Sequence, residues 1–299
     1  MPILRHCTRL SVFAATSLLA LASIAYPLDN WVRRSPVATG ANLSSATYGN
    51  GRFVATGFYS VVISEDGTNW NWEETSQNNS AIGFGNGKFF TPEGASEDGT
   101  NWTPYGTGVG NVFDGAWGNG KYVEVGDGIW LSTDAESWTN ISSPDRLLGV
   151  VYGNQEFIAV GFNGTGLRSS DGIQWSQVFS RHALVLYDVA YGNGVYVAVG
   201  YDMGLGSPAP AVAWYSTDGV NWHASETIPY GTGDTVTYGQ GTFVISGFSG
   251  TIGLSTSGVA WNAPGASLAM RVQGITSATG RLITFGTSGQ IAPPSDATN

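Results

Sequence analysis

The sequence predicts an all-β fold, a seven-bladed β-propeller of four-stranded blades, and three observations lead there. The first is a glycine-rich turn that recurs seven times: YGNG at 48–51, FGNG at 84–87, WGNG at 117–120, YGNQ at 152–155, YGNG at 191–194, YGQG at 238–241 and a worn SATG at 277–280. The second is a box of the form Ser-x-Asp-Gly-x-x-Trp, ending at Trp70, Trp102, Trp138, Trp175, Trp222 and Trp261. Successive turns and boxes lie 32 to 47 residues apart, the period of an array whose units bury their apolar faces only against their neighbours. The third is composition. Forty-three glycines with 12% aromatic and 11% charged residues suit a turn-dense β protein and not a disordered chain.

Taken in chain order, residues 1–25 read as a secretory signal peptide. Arg5, His6 and Arg9 make a basic start, Leu10 to Ala25 an apolar run, and Ser23-Ile24-Ala25 a small-residue end suited to cleavage. The run is too short and alanine-rich for a comfortable membrane span, which needs about 20 apolar residues. The only cysteine, Cys7, falls inside this segment. A mature chain of 26–299 then forms a single domain with no disulfide and no thiolate metal site. Losing Arg5 and Arg9 takes the formal charge from −10 to −12, an acidic balance that argues against nucleic acid and anionic membrane as partners.

The repeat at 186–222 shows how one blade is built. Leu186-Tyr187-Asp188-Val189-Ala190-Tyr191 has the strand period of two. Asn193-Gly194 is the preferred pair for a type I′ hairpin turn, because both central residues need positive φ. Val195 to Val199 returns as a second strand rich in β-branched and aromatic residues. Ala211 to Ser216 makes a third strand, and Trp222 opens a fourth. Four strands per repeat are one propeller blade, and nothing in the chain has helical periodicity with caps.

The box has a structural reading. Asp66, Asp98, Asp134, Asp171 and Asp218 can each accept backbone N–H bonds in their own turn. The glycine supplies positive φ, and the tryptophan fills space between neighbouring blades. Ala135 replaces the glycine in the third copy, and Ser257 the aspartate in the sixth. The seventh repeat ends at Asn299 without a tryptophan, while Asp29-Asn30-Trp31-Val32-Arg33 precedes the first. The N-terminal strand is therefore expected to complete the last blade, closing the ring and leaving no open sheet edge. An open β-solenoid is the alternative, and it has no use for this complementarity between the ends.

The turns and boxes resemble those of the Asp-box, or bacterial neuraminidase-type repeat, propellers, a superfamily that includes sialidases, glucan-cleaving enzymes, sortilin-like receptors and photosystem II assembly factors. The resemblance covers essentially the whole mature chain, with boxes one residue shorter than the common Ser-x-Asp-x-Gly-x-Thr-Trp form. It implies that the boxes are structural and lie opposite the binding face, so it specifies fold more than function. The sialidase arginine triad does not carry over. Arg33 and Arg34 fall on the expected closing strand, Arg52 follows an Asn-Gly turn, and too few of Arg146, Arg168, Arg181, Arg271 and Arg281 remain to build it. The basic patch of the photosystem assembly factors is also missing.

Binding residues are expected on the loops opposite the turns and boxes, since function concentrates on loops over a rigid scaffold. What departs from the repeat is the better candidate. The stretch 201–210, with Tyr201, Asp202 and Met203, is the largest departure and is expected to overhang the mouth of the ring. Asp114 and Asp188 stand where other repeats have Ser45, Ala81, Gly149, Thr235 and Gly274. Two carboxylates near a central channel suit acid/base chemistry or a cation, or simply a hydrated lining. Tyr105, Tyr230, Arg181, His182 and Asp234 lie on the connections between blades, where rings beside polar groups suit sugars. No His/Cys cluster, phosphate loop, dinucleotide fingerprint or nucleophile elbow is present. The expectation is a secreted, monomeric, non-catalytic binding or scaffold propeller without cofactor or metal. Its partner would be a glycan or an extracellular or cell-envelope protein. The alternatives are a glycoside hydrolase or polysaccharide lyase using the channel carboxylates, and an envelope assembly or adhesion factor.

Overall fold

The computed structural model describes residues 40–78, 80–105, 109–226, 228–229, 231–263 and 267–293. They form seven antiparallel sheets arranged as the blades of a ring, each starting with its innermost strand. The innermost strands are Leu43–Gly49, Gly83–Gly85, Val112–Gly118, Leu147–Gly153, Leu184–Gly192, Thr235–Gly239 and Val272–Ala278. Blade 5 has all four strands in register: Leu184–Gly192, Val195–Asp202, Ala211–Ser216 and His223–Ala224. Its last strand starts one residue after Trp222, which ends the box turn instead of opening the strand. In blade 1 the two middle strands run on as one element, Arg52–Ser64, bent at Tyr59 with φ of 52°. Helix among the described residues is limited to short 3-10 turns at Phe162–Gly164, Met203–Leu205 and Thr287–Gly289.

Each box makes the turn that its residue types imply. Ser64 Oγ accepts from Gly67 N at 2.8 Å, while Asp66 Oδ1 accepts from Thr68 N at 2.7 Å and Asn69 N at 2.8 Å. The same pattern recurs at Asp98, Asp134, Asp171 and Asp218. In the sixth copy Ser257 Oγ keeps only the bond from Val259 N, at 3.3 Å. Ala135 takes the glycine position at φ of 59° with its methyl group buried between blades 2 and 3. The box tryptophans then pack against the preceding blade, as Trp138 does on Phe90 at 6.3 Å.

The aromatic-glycine pair that opens each turn has a reason invisible in a single repeat. A Cβ on Gly118 would overlap the ring of Tyr152, and one on Gly153 the ring of Tyr191. In blades 1 to 5 the first glycine is thus the floor on which the aromatic residue of the next blade lies, while Gly239 of blade 6 meets Ser277 instead. The turns are also stitched across blades: Asn50 Nδ2 donates to Gly87 O at 2.8 Å and Glu97 O at 2.7 Å, and Asn119 Nδ2 to Ser170 O at 3.1 Å. Turns and boxes therefore share one face.

The ring closes between blades 1 and 7. Leu43, Phe53 and Val62 share a core with Ile283, Phe285 and Ile291. Trp70 meets Phe285 edge-on at 5.3 Å, and Ser288 N donates to Asn42 Oδ1 at 2.9 Å. The expected closing strand at 29–33, Trp31 and the signal segment lie outside the described residues.

Blade 2 departs from the others. Its middle strands, Lys88–Thr91 and Gly94–Ser96, join through a much shorter connection than in blade 4. The chain after its last strand folds back over this gap, Tyr105 N bonding Glu93 O at 3.0 Å and Val109 N bonding Pro92 O at 3.3 Å.

Candidate functional site

The innermost strands enclose a central channel of about 400 Å³. Five of them carry a bulge at the end away from the turns, between Leu43 and Ser45, Val112 and Asp114, Leu147 and Gly149, Leu186 and Asp188, and Val272 and Gly274. A bulge inserts one residue and re-aims a side chain. The inserted residues are Ser44, Phe113, Leu148, Tyr187 and Gln273, and all five line the channel with Asp234 at the corresponding place in blade 6. Sequence reasoning named Asp234 of this layer but missed the five bulge residues, because it compared the position that follows. The signal was one residue earlier, where the side chain changes type from blade to blade: Ser44, Phe113, Leu148, Tyr187, Asp234 and Gln273.

Asp114 and Asp188 also line the channel, half-buried, but their oxygens are engaged. Asp114 Oδ1 accepts from Gly115 N and Oδ2 from Val150 N, both at 2.8 Å. Asp188 Oδ1 accepts from Val189 N at 2.7 Å, and Oδ2 from Val236 N at 2.8 Å and Thr235 Oγ1 at 3.0 Å. Each carboxyl clamps its own strand to the innermost strand of the next blade, blade 3 to 4 and blade 5 to 6. Ser45 does the same between blades 1 and 2, accepting from Ile82 N at 3.3 Å. Burial raises both carboxyls above the ordinary aspartate range, Asp188 adding to the rise at Asp114, while the amide bonds oppose it. A third acid, Glu124, lies on the second strand of blade 3 at 1% exposure, where blades 4 and 5 place Ala159 and Ala198. Burial, then Asp114, pushes it well up, and its Oε2 has no protein partner.

The other predicted residues spread over the end of the ring opposite the turns. Tyr201 is 7% exposed, its hydroxyl accepting from Gly233 N at 3.2 Å and its ring 5.9 Å from Tyr187. Asp202 is buried, pairs with Arg181 at 3.1 Å and accepts from Gly204 N at 3.0 Å. Both thus end a strand instead of starting the overhanging loop, which begins at Met203; Met203 is exposed and its N–H bonds Ala183 O at 2.8 Å. Arg181 lies 5.6 Å over the Trp214 ring, and His182 is exposed beside it. Asp234 pairs with Arg271 at 2.9 Å. Tyr105 faces the core between blades 2 and 3, its ring 5.8 Å from Trp138 and its hydroxyl buried. Tyr230 lies outside the described residues. The structure therefore brings Tyr201, Asp202, Arg181 and Asp234 together around blades 5 and 6 and sets Tyr105 apart.

Among the described residues no group of three or more His, Cys, Asp or Glu is arranged to hold a metal ion. No helix of the described residues is long and apolar enough to cross a membrane.

Comparison with solved structures shows the fold. The chain superposes on YCF48 bound to D1 peptide with a TM-score of 0.69 at 13% identity, covering 92% of this chain and 98% of that one. Virginiamycin B lyase from Staphylococcus aureus gives 0.73 at 12% identity, covering 88% and 98%. The Niastella koreensis GH74 enzyme gives 0.60 at 15% identity over 87% of this chain and 44% of the enzyme. No family model and no curated protein matches the sequence.

Proposed function

We propose that this chain is an exported, non-catalytic binding or scaffold propeller that engages its ligand at the loop-rich face opposite the turns and boxes. The observation that carries the reading is the state of the two channel carboxyls. Both oxygens of Asp114 and of Asp188 accept backbone N–H groups, so these acids act as clamps between blades. A hydrolase or lyase needs such groups directed at a substrate with a proton to give or take. The structural neighbours include a peptide-bound protein, a lyase and a GH74 enzyme, which is consistent with one scaffold serving several chemistries. A screen of glycans and envelope proteins tests the face, run with wild type, Leu205→Asp on the loop-rich face and Ile173→Asp in a box turn. Binding lost in Leu205→Asp alone supports the reading; binding lost only in Ile173→Asp sinks it.

One observation favours a second reading, a glycoside hydrolase or polysaccharide lyase. The raised Asp114 and Asp188 form an interacting pair in the channel, and a raised carboxyl is what a general acid requires. That reading demands turnover that Asp188→Asn abolishes while the fold survives.

A further inference from the structure

We infer that the loop-rich face docks a protein segment that is both apolar and basic, with one lysine or arginine side chain entering the mouth of the central channel. The inference rests on the binding reading above and goes on to name the partner.

Most of the large exposed apolar side chains gather at that face, Trp72, Ile173 and Val220 in or beside the box turns being the exceptions. Phe58 and Tyr59 are 58% and 49% exposed at the bend of blade 1, their rings 4.7 Å apart. Phe162 stands on the corresponding connection of blade 4, Leu205 at 67% exposure on that of blade 5, and Phe248 on that of blade 6. Phe113, the bulge residue of blade 3, continues the apolar rim into the channel, where Leu148 and Tyr187 follow. Backbone bonds hold these connections against the starts of the innermost strands, as Phe162 N to Arg146 O at 3.0 Å. The rim is therefore a formed surface around one opening, the arrangement in which aromatic and aliphatic side chains anchor a partner.

Charge selects the partner. Of the acids in the channel lining, Asp114 and Asp188 have no cationic partner while Asp234 is matched by Arg271, and among the described residues the lining holds no lysine, arginine or histidine. The arginines of this face are already matched: Arg146 to Asp127 at 2.6 Å, Arg181 to Asp202 and Arg271 to Asp234. Asp145 adds a carboxylate bound only to neutral donors, Asn163 at 2.7 Å and Thr165 at 2.6 Å. Lys88, Lys121, Arg52 and Arg281 begin strands at the turn face instead, and Arg168 pairs with Glu156 there. Among the described residues an incoming anion meets no uncompensated lysine or arginine at the mouth, whereas an ammonium or guanidinium meets Asp145 and the raised Asp114 and Asp188 carboxyls, whose ionised form a cation favours, in a chain of formal charge −10.

Fluorescence anisotropy of labelled peptides of about twelve residues, ~40 Å long when extended, tests this. The probes are an alternating Leu/Lys peptide, the same peptide with every lysine acetylated, a Leu/Glu peptide and a Ser/Lys peptide. The Leu/Lys peptide is expected to bind, and each of the other three to bind at least about tenfold more weakly. Phe58→Ser with Leu205→Ser is expected to weaken Leu/Lys binding about tenfold or more, with Ile173→Ser unchanged. Equal binding of the Leu/Glu or acetylated peptide, no binding of Leu/Lys, or indifference to the rim variants overturns the partner assignment. Such a failure leaves the binding reading standing, because only turnover on a substrate or loss confined to the turn face removes that.

Discussion

Asp188 shows how one side chain takes on a role that its residue type does not announce. From the sequence it is a departure from the repeat near the axis, and a carboxylate there suggests chemistry or hydration. In the ring it becomes an acceptor for three donors on two blades. Asp188→Ala is expected to cost about 2–4 kcal/mol, because buried amide and hydroxyl donors lose their acceptor, with Asp188→Asn losing less since one oxygen remains; chemical denaturation measures both. The box aspartates work in the opposite electrostatic sense. Backbone N–H groups hold Asp66, Asp134, Asp171 and Asp218 below their ordinary value, Asp134 at about 2. Their stabilisation is present above the unfolded value of about 4 and is lost as pH falls through the folded one. Asp114, Asp188 and Glu124 are raised, so their contribution is full below about 4 and declines as pH rises through their folded values. Stability is therefore expected to peak in mildly acidic solution, at about pH 4–5, and Glu124→Gln to flatten the decline on the alkaline side. Thermal melts across the pH range show whether it does.

The elements themselves were legible because each rule that makes them is local. Asn-Gly pairs mark hairpins, Ser and Asp mark the box turns, and alternation marks the strands. What was not legible depends on neighbours. The first glycine of WGNG and YGNQ reads as turn chemistry, yet its space belongs to an aromatic ring in the next blade. Gly118→Ala is therefore expected to destabilise by about 1–3 kcal/mol through overlap with Tyr152, while Gly120→Ala acts through its φ of 72° alone; the pair of melting temperatures separates the two causes. The bulges were hidden for a similar reason. A one-residue register shift appears only when a strand is paired, and it is the bulge that directs Phe113, Tyr187 and Gln273 into the channel. Tyr105 was placed on the binding loops because its connection is a loop, but the short hairpin of blade 2 leaves a gap that this segment fills.

At the scale of the whole molecule, the repeat gives the ring two unlike faces. The turn face is stitched by recurring side chains such as Asn50 and Asn119, and its constancy leaves little room for specificity. The loop-rich face varies from blade to blade and opens on the channel. Ring closure by Trp70, Phe285 and Ser288 follows from the same inter-blade packing as every other boundary. The central claim, that this propeller binds without turning over its ligand, meets its most direct test in one assay. Purified protein is incubated with a panel of polysaccharides, and new reducing ends and unsaturated sugars are measured against time. The account predicts no release above the buffer control from any of them. Release that disappears in Asp188→Asn, with that variant still folded, would contradict it.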